Sequence, residues 1–171
     1  MYKDFEQMPD NSKIWVYQSG RMLSLKEVEI ITLETRKFID QWTAHNMALQ
    51  ASCKILHDHF LVICVDEATT SASGCSIDAL FRYVKSLEGS TGISFLNRTE
   101  VAIEIAGEIQ ISTLNDIPGL VSKKVITPDT IIFNNTIQQK FEIGTIWRMK
   151  ASESWLKRYF IKENEIIVSN T

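Results

Sequence analysis

The feature that most constrains this chain is an unbroken apolar run, Phe60–Val65 (FLVICV), which follows a polar turn at His57-Asp58. Six residues are too few for a membrane-spanning helix, which needs about 20. Because the run is rich in β-branched residues and no polar position alternates with them, it predicts a strand that lies centrally in a sheet and is covered on both faces. The rest of the chain must therefore supply a layer for each side of this strand.

The residues around the run predict an ordered succession of helices and strands. Ser24 and Glu27 form a capping box (S-x-x-E) that opens a helix ending near Trp42. A second helix carries apolar residues from Ile77 onward and ends at Gly89–Gly92. The predicted strands are Lys13–Ser19, Leu49–Leu56, Phe60–Val65, Val101–Ile105 and Ile109–Ser112, the last two forming a hairpin. This β-α-β-β-α-β order predicts an α+β fold with a ferredoxin-like core and an antiparallel sheet.

The carboxyl-terminal third is expected to elaborate the same domain. Thr113–Lys123 can start a short helix despite Pro118, and Thr130–Phe133 is typical of a strand. Ser152–Phe160 is typical of an amphipathic helix with Trp155, Leu156, Tyr159 and Phe160 on its inner side. Because no linker or repeat interrupts the 171 residues, we predict one domain over residues 1–171, with a core at about 13–112 and an α/β elaboration at about 113–162.

Charge and cysteine content narrow the class of protein. The chain has 18 Lys and Arg against 21 Asp and Glu, so its net charge of −3 argues against a nucleic-acid partner. Its three cysteines show no disulfide or zinc pattern, and Met1–Asn11 has no apolar run of signal-peptide length. We therefore expect a cytoplasmic protein without a membrane partner. No phosphate loop or dinucleotide motif occurs, so we expect no cofactor and no ATPase activity.

The best candidate site is the loop Asp66–Asp78 (DEATTSASGCSID), which leaves the buried strand and enters the second helix. Free amides and the positive end of the helix dipole collect ligands at such junctions. We predict a pocket there, with Trp42 and His45 across its mouth. Its loop residues are Asp66, Glu67, Ser73, Gly74, Cys75, Ser76 and Asp78. The carboxylates would accept hydrogen bonds from an amine, a hydroxyl or a hydrated cation.

A simpler interpretation of the same loop involves no ligand. Ser73 or Ser76 would cap the helix, and Asp78 would complement the helix dipole from the first turn. Such a cap contributes about 1 kcal/mol to stability.

Three functional classes stay open at this stage. The first is a binding or interaction module for an unknown small molecule or protein, using the loop pocket. The second is a small enzyme with Cys75 as nucleophile, since a helix N-terminus favours the thiolate, or with Asp66, Glu67 and Asp78 as a metal site. The third is a structural subunit of a homo-oligomer or larger assembly, anchored by exposed Trp and Tyr side chains.

Several short segments together resemble a family of small uncharacterised proteins from Bacteroidota that often carries the automatic label "ABC transporter ATPase". The segments are Lys13–Gln18, Phe38–His45, Ala72–Asp78, Phe133–Asn135 and Ser154-Trp155. The resemblance implies no established activity. The missing phosphate loop argues against the ATPase label.

Overall fold

The computed structural model describes residues 1–161, which form an α+β structure with antiparallel sheets. The chain divides into two compact units. The first combines residues 1–97 with 135–143, and the second combines residues 98–134 with 144–161. Because each unit takes two separate stretches of chain, the units are not consecutive in sequence, and the single domain predicted from the sequence stays a prediction.

The first unit contains a three-stranded antiparallel sheet, a two-stranded ribbon and two helices. The elements in chain order are β1 (Lys13–Gln18), α1 (Leu25–Gln41), β2 (Thr43–Ala44), β3 (Met47–Ala48), β4 (Gln50–Leu56), β5 (Phe60–Asp66) and α2 (Gly74–Thr91). The sheet order is β1-β5-β4, and β2 pairs with β3. Strands β1, β4 and β5, both helices and the His57-Asp58 turn confirm predicted elements, whereas the ribbon β2-β3 was not predicted.

Strand β5 is buried on both faces, as its unbroken apolar run predicts. All six residues from Phe60 to Val65 have no solvent exposure. Leu61, Ile63 and Val65 pack in one core with apolar residues of both helices. The opposite face carries Phe60, Val62 and Cys64. At about 1.5–3 kcal/mol for each large apolar side chain, this burial makes β5 the centre of the unit.

A layer built by the amino-terminal segment lies on the second face of the sheet. Lys54 of β4 forms an ion pair with Glu6, and its ammonium lies 5.8 Å from the ring centre of the buried Phe5. Lys140 donates to the carbonyl of Met8 over 2.6 Å and lies 5.5 Å from the same ring. Two lysines from separate stretches of chain therefore hold the segment around Phe5 in place.

The predicted capping box at the start of α1 is present. The Ser24 hydroxyl accepts from the Glu27 amide, and the Glu27 carboxylate accepts from the Ser24 amide over 2.8 Å. Arg21 binds the same carboxylate through both guanidinium nitrogens, at 2.7 and 3.0 Å. The hydrogen bond from Arg21, followed by those from Ser24, lowers the pKa of Glu27 to about 2.

The first sheet lacks the fourth strand of the predicted ferredoxin-like order. Its order β1-β5-β4 matches three strands of that fold, but the predicted fourth strand, residues 101–105, lies in another sheet. The reason is that this strand is paired along both edges by segments of the second unit. The outer edge of β1 instead contacts residues 135–143, which belong to the first unit and which we call the returning chain. There the Ile14 amide donates to the Gln138 carbonyl over 2.9 Å.

Within residues 98–134 and 144–150, the second unit contains a four-stranded antiparallel sheet and a short helix. Its elements are β6 (Glu100–Ile105), β7 (Glu108–Thr113), α3 (Ile117–Ser122), β8 (Ile131–Phe133) and β9 (Arg148–Lys150), with the sheet order β7-β6-β8-β9. The β6-β7 hairpin, the short helix around Pro118 and strand β8 confirm predicted elements. The predicted helix Ser152–Phe160 is partly wrong, because Ala151–Glu153 is a 3-10 turn and Trp155 is 44% exposed. Its second half is confirmed, since residues 157–160 are helical and Leu156 is buried in the core against which Tyr159 and Phe160 pack. Over residues 1–161, no helix is both long and apolar enough to span a membrane.

The pKa of Glu27 makes the contribution of the capping box depend on pH. Because the folded pKa is about 2 and the ordinary value is 4.5, the contribution is fully present above pH 4.5 and is lost as pH falls toward 2. We expect Glu27→Gln to lower the melting temperature at pH 7 and to change it little at pH 2. Glu29→Gln, an exposed position on the same helix, is the control. A melting-temperature loss that is equal at both pH values would contradict this account.

Candidate functional site

The acidic side chains of the predicted loop site mainly accept hydrogen bonds from backbone amides of the same loop. An Asp66 carboxylate oxygen accepts from the Ala68 amide over 3.0 Å, and a Glu67 oxygen accepts from the Ala72 amide over 2.9 Å. Glu67 also lies 3.7 Å from the ammonium of Lys13 on β1. These bonds are typical of a loop that satisfies its own backbone, because short polar side chains fold back onto nearby amides.

The start of α2 differs from the prediction in one respect. Ser73 is the N-cap, and its hydroxyl accepts from the Ser76 amide over 3.3 Å. The buried Ser76 hydroxyl donates back to the Ser73 carbonyl over 2.8 Å. The helix begins at Gly74, so the loop ends earlier than expected. Asp78 lies beyond the first turn, and the prediction that it complements the dipole from that turn is wrong.

The two residues expected across the mouth of the loop pocket occupy different environments. Trp42 is 2% exposed, and its indole N–H donates to the Ser76 carbonyl over 2.9 Å from inside the core. It packs there against Trp15 and Phe38. His45 is exposed at a left-handed position between β2 and β3. Trp42 therefore packs beneath the first turn of α2 in the core and holds it by a hydrogen bond, while His45 lies on the surface.

The cysteines and carboxylates within residues 1–161 form no metal-binding arrangement. Cys75 is exposed, whereas Cys53 and Cys64 are buried, and burial raises the pKa of each buried thiol to about 11. In the part of the chain that the structure describes, no three His, Cys, Asp or Glu side chains are placed to hold a metal ion. The alternative of a metal site at Asp66, Glu67 and Asp78 has no geometric support.

A cleft that the sequence did not predict lies at the outer edge of β1. It is lined by Lys13, Ile14, Trp15, Val16, Tyr17, Asn135, Thr136, Ile137 and Gln138, and its volume is about 420 Å³. We call it the β1 cleft. At one end the Ile14 amide binds the Gln138 carbonyl, and at the other the Asn135 amide group donates to the Gln18 side chain over 3.0 Å. Backbone pairing therefore closes one end and a side-chain hydrogen bond closes the other.

The backbone of Val16 faces this cleft with both of its polar groups. In an antiparallel strand, the N–H and C=O of one residue point to the same side, and every second residue shares that side. Since the Ile14 amide points outward to Gln138, Val16 also points away from β5. No partner for the Val16 amide or carbonyl occurs within residues 1–161. The cleft therefore offers an adjacent donor and acceptor on a fixed strand.

The side chains around the Val16 backbone leave the β1 cleft without an unpaired charge. Lys13 is the one charged residue among the lining side chains, and it lies between Glu67 and the Trp15 ring, 5.5 Å from the ring centre. Burial raises the pKa of Tyr17 to about 12, so its phenol stays neutral at physiological pH. The cleft is therefore suited to a neutral guest.

The β1 cleft could not be predicted from the sequence, because about half of its lining residues, 135–138, lie far from β1 along the chain. The strand Lys13–Ser19 was predicted, but nothing in its residues marks it as an edge strand. The contact with residues 135–139 spans more than 115 positions and has no local signal.

The orientation of Val16 predicts different effects for two matched proline substitutions. Val16→Pro removes an amide that points outward, which an edge strand tolerates. Val62→Pro, at the residue paired with Val16, removes an amide that points toward β4 in the centre of the sheet. We expect the first variant to fold with a modest loss of stability and the second to unfold, by circular dichroism and thermal melting. If both variants unfolded equally, the Val16 amide would have to be hydrogen-bonded within the sheet, which would contradict this orientation.

No family model matches the chain, and neither the curated proteins nor the solved structures contain a match. The family resemblance seen in the sequence therefore stays a prediction.

Proposed function

We propose that this chain is a binding module whose ligand occupies the β1 cleft. The observation that carries the proposal is the pair of free backbone groups on Val16, which faces a cleft of about 420 Å³. Small-molecule sites typically have volumes of about 300–1,000 Å³ and combine apolar walls with a few fixed polar groups. The β1 cleft has both features.

The lining of the β1 cleft supports recognition more than covalent chemistry. Its polar groups are backbone amides and carbonyls, neutral side chains and a lysine already paired with Glu67. Cys75, the candidate nucleophile, is not among the lining residues. A binding function therefore uses what the cleft contains, whereas catalysis would need groups from elsewhere.

The loop site predicted from the sequence stays a proposal and connects to the cleft through one ion pair. Lys13 lines the cleft, and its ammonium contacts Glu67 of the loop. A ligand that displaced Lys13 would therefore disturb the loop that precedes α2. The cytoplasm remains the compartment that we propose, on the cysteine content.

Filling the cleft tests the proposal directly. A library of small neutral lactams, primary amides and nucleosides would be screened against the native chain by ligand-observed NMR. We expect Thr136→Trp, which places a large side chain on an exposed lining residue, to abolish the binding found. Gln139→Trp is the matched control, since Gln139 is exposed and lies next to the lining residues without belonging to them.

Both variants would first be compared with the native chain by thermal melting, so that loss of binding is separated from loss of folding. No binding by any compound to the native chain would overturn the proposal. Binding that survives Thr136→Trp in a folded variant would place the ligand elsewhere.

A further inference from the structure

We infer that the occupant of the β1 cleft is a short, neutral peptide segment in extended conformation, one residue of which pairs with Val16 as in an antiparallel sheet. This inference rests on the proposed binding function and adds the chemical class of the ligand.

The hydrogen-bonding groups of Val16 favour an extended peptide as the ligand. Its N–H and C=O lie on the same side and are separated by one α-carbon. The group that satisfies both at once is the N–H and C=O of one residue in an extended peptide, as in a hydrogen-bonded antiparallel pair. A ligand with only one donor or acceptor would leave one backbone group without a partner, which is unfavourable in a half-buried cleft.

The register at the edge of β1 shows where the peptide fits. Ile14 pairs with Gln138, so continuing the same register would place Thr136 opposite Val16. Val16 forms no backbone hydrogen bond there, since the returning chain begins to pair with this edge only at Gln138. The β1 cleft lies where this next pair of hydrogen bonds is missing. An added residue would supply the bonds that the returning chain does not.

The ends of the cleft limit the length of the peptide. The Ile14–Gln138 bond closes one end and the Asn135–Gln18 bond closes the other. From Ile14 to Gln18 is four residues, or about 13 Å of strand at roughly 3.3 Å per residue. This length suits about three residues of extended peptide. A longer segment would have to open the Asn135–Gln18 bond, which joins two side chains and no backbone.

Side-chain direction and charge define the peptide further. The residue paired with Val16 would place its side chain on the same face as Val16, and its two neighbours would lie on the face of Trp15 and Tyr17. Because Lys13 is paired with Glu67 and Tyr17 is neutral, no charge in the cleft favours an acidic or basic side chain. Apolar or small neutral residues at all three positions are therefore expected.

The test uses tripeptides of the form acetyl-Xaa-Val-Xaa-amide, with Ala, Leu or Thr at the flanks, titrated into the native chain by NMR. We expect binding that weakens about tenfold or more when the central amide nitrogen is methylated, because one hydrogen bond to Val16 is lost. Methylation of the following amide nitrogen is the control. That N–H points away from β1, so the affinity should be retained.

Matching variants test the same bond from the protein side. Val16→Pro, once shown to be folded, should weaken binding of the parent tripeptide about tenfold or more. Gln139→Trp should leave it unchanged.

Each other outcome overturns a defined part of the account. Equal binding by both methylated peptides would show that the peptide does not pair with the Val16 backbone. No tripeptide binding at the highest soluble concentration, with neutral fragments still bound in the cleft, would overturn this inference while the proposed function stands. Binding of neither tripeptides nor fragments would overturn both and leave Val16 hydrated by ordered water only.

Discussion

Burial of β5 on both faces is the constraint from which the rest of the first unit follows. Six consecutive side chains without solvent exposure require a neighbouring strand on each edge and a covering layer on each face. Strands β1 and β4 fill the edges, the two helices cover one face, and the segment around Phe5 lies against the other. Because β5 takes the centre, β1 becomes an edge strand. An edge strand has outward backbone groups that must find a partner, water or a ligand.

The returning chain satisfies part of that edge and leaves part of it open. It pairs with this edge only from Gln138 onward, where the Gln138 carbonyl accepts from the Ile14 amide and the Lys140 amide donates to the Ser12 carbonyl. The Lys140 ammonium, held on the Met8 carbonyl, fixes the returning chain at this point. The free groups of Val16 are thus a consequence of where a second stretch of chain begins to pair with β1. This makes the β1 cleft part of the fold rather than of one loop.

The sequence predicted what local patterns encode. The capping box at Ser24 and Glu27, the double burial of Phe60–Val65 and the hairpin after Val101 are confirmed, since each depends on residues close together in the chain. The ferredoxin-like sheet was predicted from element order alone, and order does not decide which strands share a sheet. Strand β6 pairs within the second unit, a choice made by long-range contacts that no single segment reveals.

The candidate site shows the same division between local and long-range information. The loop Asp66–Asp78 was a reasonable prediction from residue types, and the structure shows that Ser73, Ser76, Asp66 and Glu67 largely serve their own backbone. The β1 cleft joins two stretches more than 100 residues apart, and its donor and acceptor are backbone atoms. Because every residue except proline carries a backbone N–H and C=O, the amino-acid sequence gives no sign of which ones remain unpaired.

Amide hydrogen exchange at single residues tests the central claim most directly. In the free native chain, we expect the Val16 amide to exchange much faster than those of Trp15 and Tyr17, which point toward β5 in the ladder. Protection of Val16 equal to that of its two neighbours, without any ligand, would mean that its N–H is already bonded and that the β1 cleft has nothing to offer a peptide.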